Sequence, residues 1–204
     1  MDIKTYQQGA LQTEKPFPLP KRLRHAIIGC FTEVGEFASQ VKRVAIYGKD
    51  ADTARKEGEP TPRQGMFEEL HDSCWYIGIG FDAAGEDMRM IMAPIAFQEE
   101  DTLTDRLAKL TFMMGSVTGA LAGLALRSDE HLVNGRADLA ILFGQLLYLI
   151  NMTAELLGFT LEQLFIANNE KLLSGKTARY GASGYSDQAA EARADKDGAA
   201  HTES

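Results

Sequence analysis

The sequence predicts an all-α fold, a bundle of about five main helices. Apolar residues recur at steps of three and four along several long segments, which is typical of helices that bury one face. Glycines and prolines separate these segments, and no β-rich segment competes with them. Long helices with apolar stripes pair with one another, so we expect a helical bundle.

The helix boundaries follow from local signals. Residues 1–20 contain Gly9 and three prolines, so we expect an irregular N-terminal arm there. Thr61, followed three residues later by Gln64, resembles a capping box, and glycines supply the stops. The main helices are expected at about 21–47, 62–84, 103–127, 135–157 and 161–173.

The domain is expected to cover residues 21–185, with a disordered tail at 186–204. That tail is rich in Ala, Asp and Glu and has no aromatic residue, so it cannot bury enough apolar surface to fold. Residues 88–92 are rich in methionine and lie before Pro94, which leaves room only for a short helix or a bent link.

Charge and cysteine content exclude several classes of protein. The 204 residues carry a formal net charge of −8, which gives no general attraction for nucleic acid or anionic lipid, so we expect neither as a partner. No apolar run approaches the roughly 18 residues of a membrane helix, and the first residues lack the apolar core of a signal peptide. Cys30 and Cys74 cannot build a disulfide framework. We therefore expect a soluble, cytoplasmic protein.

Acidic residues stand at i and i+3 on two consecutive predicted helices. Glu33 and Glu36 form the first pair, and Glu69 and Asp72 form the second. Residues three apart share one helix face, and apolar residues flank both pairs, so the carboxylates would repel one another unless a cation sits among them. Oxygen ligands select hard cations, which favours Mg²⁺ or Mn²⁺. The alternative is that these are ordinary solvated helix acids.

A di-iron site is a second carboxylate possibility. Glu68 and His71 form one Glu-x-x-His step of the kind used in di-iron bundles. Such a site needs two steps, and no second one follows the predicted helix 62–84. His71 is therefore interpreted as a polar neighbour on the helix face.

Two segments carry a family resemblance: HAIIGCFTEVGEFASQVK at 25–42 and FEELHDSCWY at 67–76. They resemble the all-α nucleoside triphosphate pyrophosphohydrolases of MazG-like type, relatives of the dimeric dUTPases, whose signature is E-x-x-E on one helix and E-x-x-D on the next. The C-terminal NNEKL at 168–172, RY at 179–180 and GYS at 184–186 are similar to the closing motif of that family. The spacing between NNEKL, which contains the lysine, and RY, which contains the arginine, is wider here than is usual in that family.

The resemblance implies hydrolysis of a (deoxy)nucleoside triphosphate between the α and β phosphates, giving the monophosphate and pyrophosphate. Mg²⁺ would be the cofactor, a bound cation would activate water, and a glutamate would orient that water or accept its proton. The catalytic and metal-binding residues would be Glu33, Glu36, Glu69 and Asp72. The resemblance leaves the base and sugar of the substrate open: the enzyme could act on dUTP, dCTP or dGTP, or on a broad range of nucleotides.

The substrate-binding residues are expected near the acidic pairs and in the closing motif. Lys42, Lys171 and Arg179 could hold phosphate oxygens, although basic residues near helix ends also serve the helix dipole or solubility. Asn168 belongs to the same motif. Trp75 could stack on a base, although a large aromatic residue at helical spacing is more often part of a core.

Residues 86–154 lie between the two parts of the resemblance and could be a degenerate second copy. Offsets of 86 and 72 residues pair Gly29 with Gly115 and Tyr76 with Tyr148, and the acids are replaced by apolar or small residues. The chain would then have an acidic catalytic half at 21–85 and an apolar half at 103–173, which would wall the nucleotide site. Small residues at 115–123 would permit close helix contact there. Chance similarity between apolar helices is the alternative.

A function from another class is also consistent with the sequence. The chain could be a non-catalytic helical interaction or oligomerisation module, with its acids solvated. The predicted third and fourth helices are apolar enough that a homodimer is expected in either case.

Overall fold

The computed structural model describes residues 1–176 and 178–192, and in this part of the chain all regular structure is helical. The predicted all-α class is confirmed. The helices are α1 (Ile3–Gln12), α2 (Leu19–Ala45), α3 (Pro62–Ala84), α4 (Leu103–Ala125), α5 (Asp129–Asn134), α6 (Arg136–Leu156), α7 (Leu161–Asn169) and α8 (Asp187–Ala192). A π-helical turn, Glu170–Ser174, continues α7.

The five predicted main helices begin and end close to the expected residues, and local capping explains the start of three of them. Thr61, Thr102 and Thr160 each form a capping box at the start of α3, α4 and α7. Gly85 ends α3 at a φ of 80°, a left-handed conformation that favours glycine. The fourth predicted helix begins after Gly135 without a side-chain cap.

The predicted irregular arm at 1–20 is wrong for residues 3–12, which form α1. Asp2 caps this helix by accepting a hydrogen bond from the backbone N–H of Thr5. Tyr6 and Ala10 are buried one turn apart, and the Tyr6 ring stacks on Phe165 with centroids 4.1 Å apart. The prolines act only on the residues beside them, so they do not prevent a helix upstream that packs on α3 and α7.

The four long helices form the bundle. Helices α2 and α3 pack as one antiparallel pair, α4 and α6 form a second pair, and the pairs meet through α2 with α4 and α3 with α6. One apolar core runs through the bundle, including the fully buried rings of Phe37, Phe81 and Phe143. Burial of such side chains stabilises a fold by about 1.5–3 kcal/mol each.

The link between the two pairs crosses α6 at close range. The backbone N–H of Ile91 donates to the carbonyl of Gly144 at 3.0 Å. A Cβ on Gly144 would lie 2.6 Å from Cγ1 of Ile91, so this crossing requires glycine. The methionine-rich segment 88–92 is therefore a bent link and has no helix.

The second helix pair agrees only in part with the idea of a degenerate copy. Its connection contains the short helix α5, which was not predicted. Gly115, Gly119 and Gly123 face open space, so the expectation that they permit close helix contact is wrong within this chain. The internal duplication stays a prediction.

The disordered tail predicted at 186–204 is wrong for residues 187–192, which form α8. Asp187 at its start contacts Lys15 and the hydroxyl of Tyr185, which holds this short helix near the N-terminal segment. The remainder of the predicted tail lies outside the described residues.

Helices α4 and α6 are long and apolar enough to cross a membrane by length and composition, with mean hydropathies of 1.3 and 1.5. The expectation that no segment approaches such a length does not hold by this measure. Core helices of soluble proteins pass the same test, and more than half of the apolar window of α6 is buried in the bundle. Length and composition are thus weak grounds for a membrane span.

Candidate functional site

A cavity of about 600 Å³ opens between α2 and α3 and is closed on its far side by the segment after α1, residues 13–17, and by residues between 168 and 190. We call it the acidic cavity. It contains all the sequence-predicted site residues except one: Glu33, Glu36, Glu69, Asp72, Trp75, Asn168, Lys171 and Arg179. Within the described part of the chain, no residue of α4, α5 or α6 lines it, and from the apolar half at 103–173 only Asn168, Lys171 and Leu172 do, so the expectation that this half walls the site holds only for its last residues.

Lys42 is the predicted site residue that the structure places elsewhere. It is exposed near the end of α2 and does not line the acidic cavity. Six residues after Glu36, it is turned about 240° around the helix axis, which directs it away from the acidic face. It lies in the last turn of α2, where a cation complements the helix dipole.

Close packing of α2 on α3 brings the acidic pairs together. A Cβ on Gly29 would lie 2.1 Å from the ring of Tyr76, so only glycine allows this approach one turn before Glu33. At the other end of the pair, a Cβ on Gly65 would lie 2.9 Å from the side chain of Gln40. The carboxylates thus stand at the edge of a tight, glycine-spaced helix contact.

Glu33, Glu36 and Glu69 form the compact part of the acidic cavity, and we call them the glutamate triad. Each offers one oxygen, and the three oxygens lie within 4.8 Å of one another. Glu36 is exposed, whereas Glu33 and Glu69 are partly buried.

Glu33 and Glu69 are joined by a side-chain hydrogen bond. Burial raises the pKa of Glu33 to about 7, and the charge of Asp72 adds to this effect. Burial and the hydrogen bond to Glu33 raise the pKa of Glu69 to about 8. The two carboxyls therefore share one proton when no cation is present, because the neutral form of one can donate to the carboxylate of the other.

Asp72 was predicted as a metal ligand, but it stands apart from the glutamate triad, and both its oxygens accept hydrogen bonds from the protein. Oδ1 lies 3.0 Å from Nδ2 of Asn168 and 3.0 Å from Nδ1 of His71. Oδ2 lies 2.6 Å from Nζ of Lys171, which also donates to Glu68 at 2.9 Å. Although burial raises the pKa of Asp72, the hydrogen bond from His71 and the charge of Lys171 outweigh it and lower the pKa to about 2.

A buried chain of hydrogen bonds positions the carboxylate of Asp72. The hydroxyl of Tyr6 donates to Oδ1 of Asn168 at 2.9 Å, and the amide nitrogen of Asn168 donates to Asp72. Tyr6 and Asn168 are each 1% exposed. Sequence analysis missed Tyr6, although Asp2 as a cap and the four-residue spacing of Tyr6 and Ala10 were available signals for a helix there.

Aromatic side chains line the other end of the acidic cavity. The indole N–H of Trp75 donates to Oγ1 of Thr13 at 2.8 Å, which fixes the ring. His25 makes edge contacts with Phe17, Trp75 and Tyr76 at centroid distances of 5.5–5.7 Å. Its Nδ1 has no hydrogen-bond partner among the described residues, and burial lowers its pKa. Thr13 and Phe17 were not predicted, because only the tertiary fold brings the segment after α1 to α3. His25 was not predicted either, because only the packing of α2 on α3 places it beside Trp75 and Tyr76.

The C-terminal segment closes the cavity by backbone contacts. The N–H of Tyr185 donates to the carbonyl of Gln12 at 2.9 Å, and the N–H of Arg179 donates to the carbonyl of Lys171 at 3.0 Å. Gly184 has a φ of 75°, and a Cβ there would lie 2.5 Å from the carbonyl oxygen of Gln12. These bonds carry Arg179 and Tyr185 to the cavity wall.

The donor chemistry of the glutamate triad suits a hard divalent cation. Three carboxylates within 4.8 Å repel one another, and an oxygen-only set is the kind that Mg²⁺ and Mn²⁺ prefer. His71 bonds to Asp72 and is not a member of this group, which agrees with the absence of a second Glu-x-x-His step. Comparisons of this chain with protein-family models, with curated proteins and with solved structures give no match.

Proposed function

We propose that this chain is a Mg²⁺-dependent nucleoside triphosphate pyrophosphohydrolase that releases pyrophosphate and a (deoxy)nucleoside monophosphate. The observation that carries the proposal is the convergence of Glu33, Glu36 and Glu69 within 4.8 Å inside a cavity of about 600 Å³. The same cavity also has cationic and aromatic side chains, which suit the phosphates and the base of a nucleotide.

The glutamate triad is proposed to hold the cation, with Mn²⁺ as a possible substitute for Mg²⁺. A bound divalent ion supplies charge neutralisation of the triphosphate and acidifies a bound water. A glutamate of the triad orients the attacking water or accepts its proton. The raised pKa values of Glu33 and Glu69 support this role, since they measure how poorly the metal-free site tolerates its negative charge.

Phosphate oxygens are proposed to bind Lys171 and Arg179, which line the acidic cavity near the glutamate triad. The base is proposed to bind beside Trp75 and His25 at the aromatic end, where planar ring faces are available. Asn168 acts indirectly in this proposal, by holding Asp72.

A cytoplasmic location and a homodimer are parts of the same proposal. Cys30 and Cys74 are free and buried, as expected for a protein of a reducing compartment. Phe31 of α2 and Phe112 of α4 are 54% and 77% exposed, and such apolar side chains are typical of an interface. These exposed side chains also support the alternative function, a non-catalytic interaction module.

Pyrophosphate release from a panel of nucleoside triphosphates tests the proposed function. With Mg²⁺, the wild type should be active. Glu36→Gln should lose more activity than the roughly 10- to 100-fold that is typical when a residue that supports a metal ligand, without contacting the metal, is changed. Glu130→Gln, at an exposed position on α5 outside the cavity, is the control and should be fully active. Full activity of Glu36→Gln, or no activity of the wild type with any triphosphate, would contradict the proposal.

Calorimetric titration separates the enzyme from the interaction module. The enzyme should bind Mg²⁺ and a non-hydrolysable nucleotide together, and the module should bind neither.

A further inference from the structure

Lys171 occupies the position of a counter-ion at the acidic cavity. Its Nζ lies 2.6 Å from Oδ2 of Asp72 and 2.9 Å from Oε1 of Glu68, and its side chain is only 17% exposed. The two carboxylates belong to α3, whereas Lys171 belongs to the π-helical turn after α7. The lysine therefore joins the C-terminal part of the chain to the acidic face.

The glutamate triad and Asp72 differ in what balances their charge. Glu33 and Glu69 share a proton, whereas the ion pairs of Lys171 are with Asp72 and Glu68. Asp72 has its charge balanced by Lys171 and its other oxygen satisfied by Asn168. One part of the cavity thus needs a cation, while the other already has one from the protein.

Asp72 is nevertheless close enough to take part in cation binding. Its charge acts on Glu33, it lies one helical turn after Glu69, and both line the same cavity. A cation that coordinates Oδ2 of Asp72 must first displace Nζ of Lys171. The displaced ammonium remains at the cavity wall, where it can meet the phosphate oxygens of a substrate.

We propose that Lys171 competes with a second divalent cation for Asp72. Lys171 holds Asp72 in the substrate-free protein and releases it only when a polyphosphate brings that cation and binds the ammonium group of Lys171. The free protein then binds a single cation, at the glutamate triad. In this scheme Lys171 contacts Asp72 in the free protein and the phosphate oxygens of the substrate in the complex. The inference rests on the proposed function, since it concerns the same cavity and substrate class.

Titration with Mn²⁺ alone, followed by electron paramagnetic resonance of the free ion, tests the competition without any turnover. The wild type should bind one Mn²⁺ per chain at low ion concentrations. Lys171→Met should bind a second one, with an affinity raised by roughly tenfold, within the range of about 5- to 150-fold typical of coupled sites. Lys171→Arg keeps the charge and should behave like the wild type.

Two further variants distinguish competition from a general effect of charge. Lys15→Met removes one positive charge from the wall of the same cavity, but Lys15 pairs with Asp187, so this variant should match the wild type. In the double variant Asp72→Asn/Lys171→Met the second Mn²⁺ should be lost again, because its ligand is gone. Circular dichroism of each variant checks that the helices are retained.

The outcomes separate this inference from the proposed function. A second Mn²⁺ in the wild type, an unchanged count in Lys171→Met, or an equal gain in Lys15→Met would overturn the competition and leave the triad site standing. Failure of the wild type to bind any Mn²⁺ would overturn the cation site of the proposed function and this inference with it. If Lys171→Met unfolds, Lys171→Gln, which removes the charge but keeps a polar side chain, decides by the same criterion: a second Mn²⁺ supports the competition and an unchanged count overturns it.

Discussion

The carboxyl groups of Glu33 on α2 and Glu69 on α3 are joined by a hydrogen bond, so one shared proton bridges the two central helices. This proton stands where the proposed cation would bind. Removing it without supplying a cation leaves two like charges at a partly buried helix contact, which destabilises the packing of α2 on α3.

Raising the pH should therefore destabilise the metal-free protein through these two groups. The pKa values of Glu33 and Glu69 rise from 4.5 to about 7 and about 8 on folding, so the folded state binds more protons than the unfolded state between about pH 4.5 and pH 8. Stability then falls as the pH rises through this window. Thermal unfolding in a chelating buffer at pH 5 and pH 8 measures the fall.

A matched variant isolates this contribution from the rest of the chain. Glu69→Gln keeps a hydrogen-bond donor for Glu33 but removes one titratable carboxyl group. The unfolding temperature of this variant should therefore depend less on pH than that of the wild type. Addition of Mg²⁺ at pH 8 should restore the wild type and have a smaller effect on the variant. Equal pH dependence in both proteins would contradict the bridging proton.

Gly29 and Gly35 should respond oppositely to alanine, although both lie in α2. A Cβ on Gly29 would lie 2.1 Å from the ring of Tyr76, so Gly29→Ala must push α2 from α3 and should cost about 1–3 kcal/mol of unfolding free energy. A Cβ on Gly35 meets nothing within 4 Å, so Gly35→Ala should stabilise the helix by up to about 1 kcal/mol. Urea unfolding followed by circular dichroism measures both.

The two glycine variants also test whether the spacing of α2 and α3 sets the cation site. Gly29→Ala should weaken Mn²⁺ binding, because the shift occurs one turn before Glu33. Gly35→Ala should leave it unchanged. A tolerated Gly29→Ala with wild-type stability would show that the close approach at Tyr76 is not required.

Tyr6→Phe tests the support behind Asp72. The variant leaves the buried Oδ1 of Asn168 without its donor, which should cost about 1–3 kcal/mol of unfolding free energy. Tyr148→Phe on α6 is the control, because no hydrogen bond of its hydroxyl is found among the described residues. Similar losses in both variants, measured by urea unfolding, would argue against a specific role of the Tyr6 hydroxyl.

Much of the fold is predictable from short-range signals. Capping boxes at Thr61, Thr102 and Thr160 and the stop at Gly85 act within one helical turn, so the printed sequence contains them in full. Helix α1 has a local cap signal in Asp2 that was missed, but the packing of Tyr6 on Phe165, in a distant part of the chain, could not be predicted from the sequence. Contacts of this length leave no local signature.

The candidate site was predictable to the level of its acidic residues. The i, i+3 spacing placed Glu33 with Glu36 and Glu69 with Asp72, and the helix contact brought both pairs to one cavity. Spacing could not show that the negative charge of Asp72 is balanced by Lys171, which is 99 residues away along the chain. It also could not show that residues 13–17 and residues between 168 and 190 form the opposite wall, since those contacts depend on the packing of the whole bundle.

The single tryptophan provides a site-specific signal for ligand binding. Trp75 is the only one in the chain, lines the acidic cavity and donates to Thr13. Addition of Mg²⁺ with a non-hydrolysable nucleoside triphosphate should therefore change its fluorescence in a saturable way. Mg²⁺ alone should have a smaller effect, because the ion is expected at the glutamate triad and the base at the aromatic end.

Thr13→Val should weaken this binding while preserving the fold. Valine has the size of threonine but cannot accept the indole N–H, so the ring of Trp75 is no longer fixed, and nucleotide affinity should fall by up to about tenfold, the equivalent of one hydrogen bond. Thr111→Val is the control: the hydroxyls of Thr13 and Thr111 both donate to a backbone carbonyl, that of Ala10 and that of Leu107, but Thr111 lies on α4 outside the cavity. Wild-type affinity and unchanged fluorescence in Thr13→Val would place the base away from Trp75.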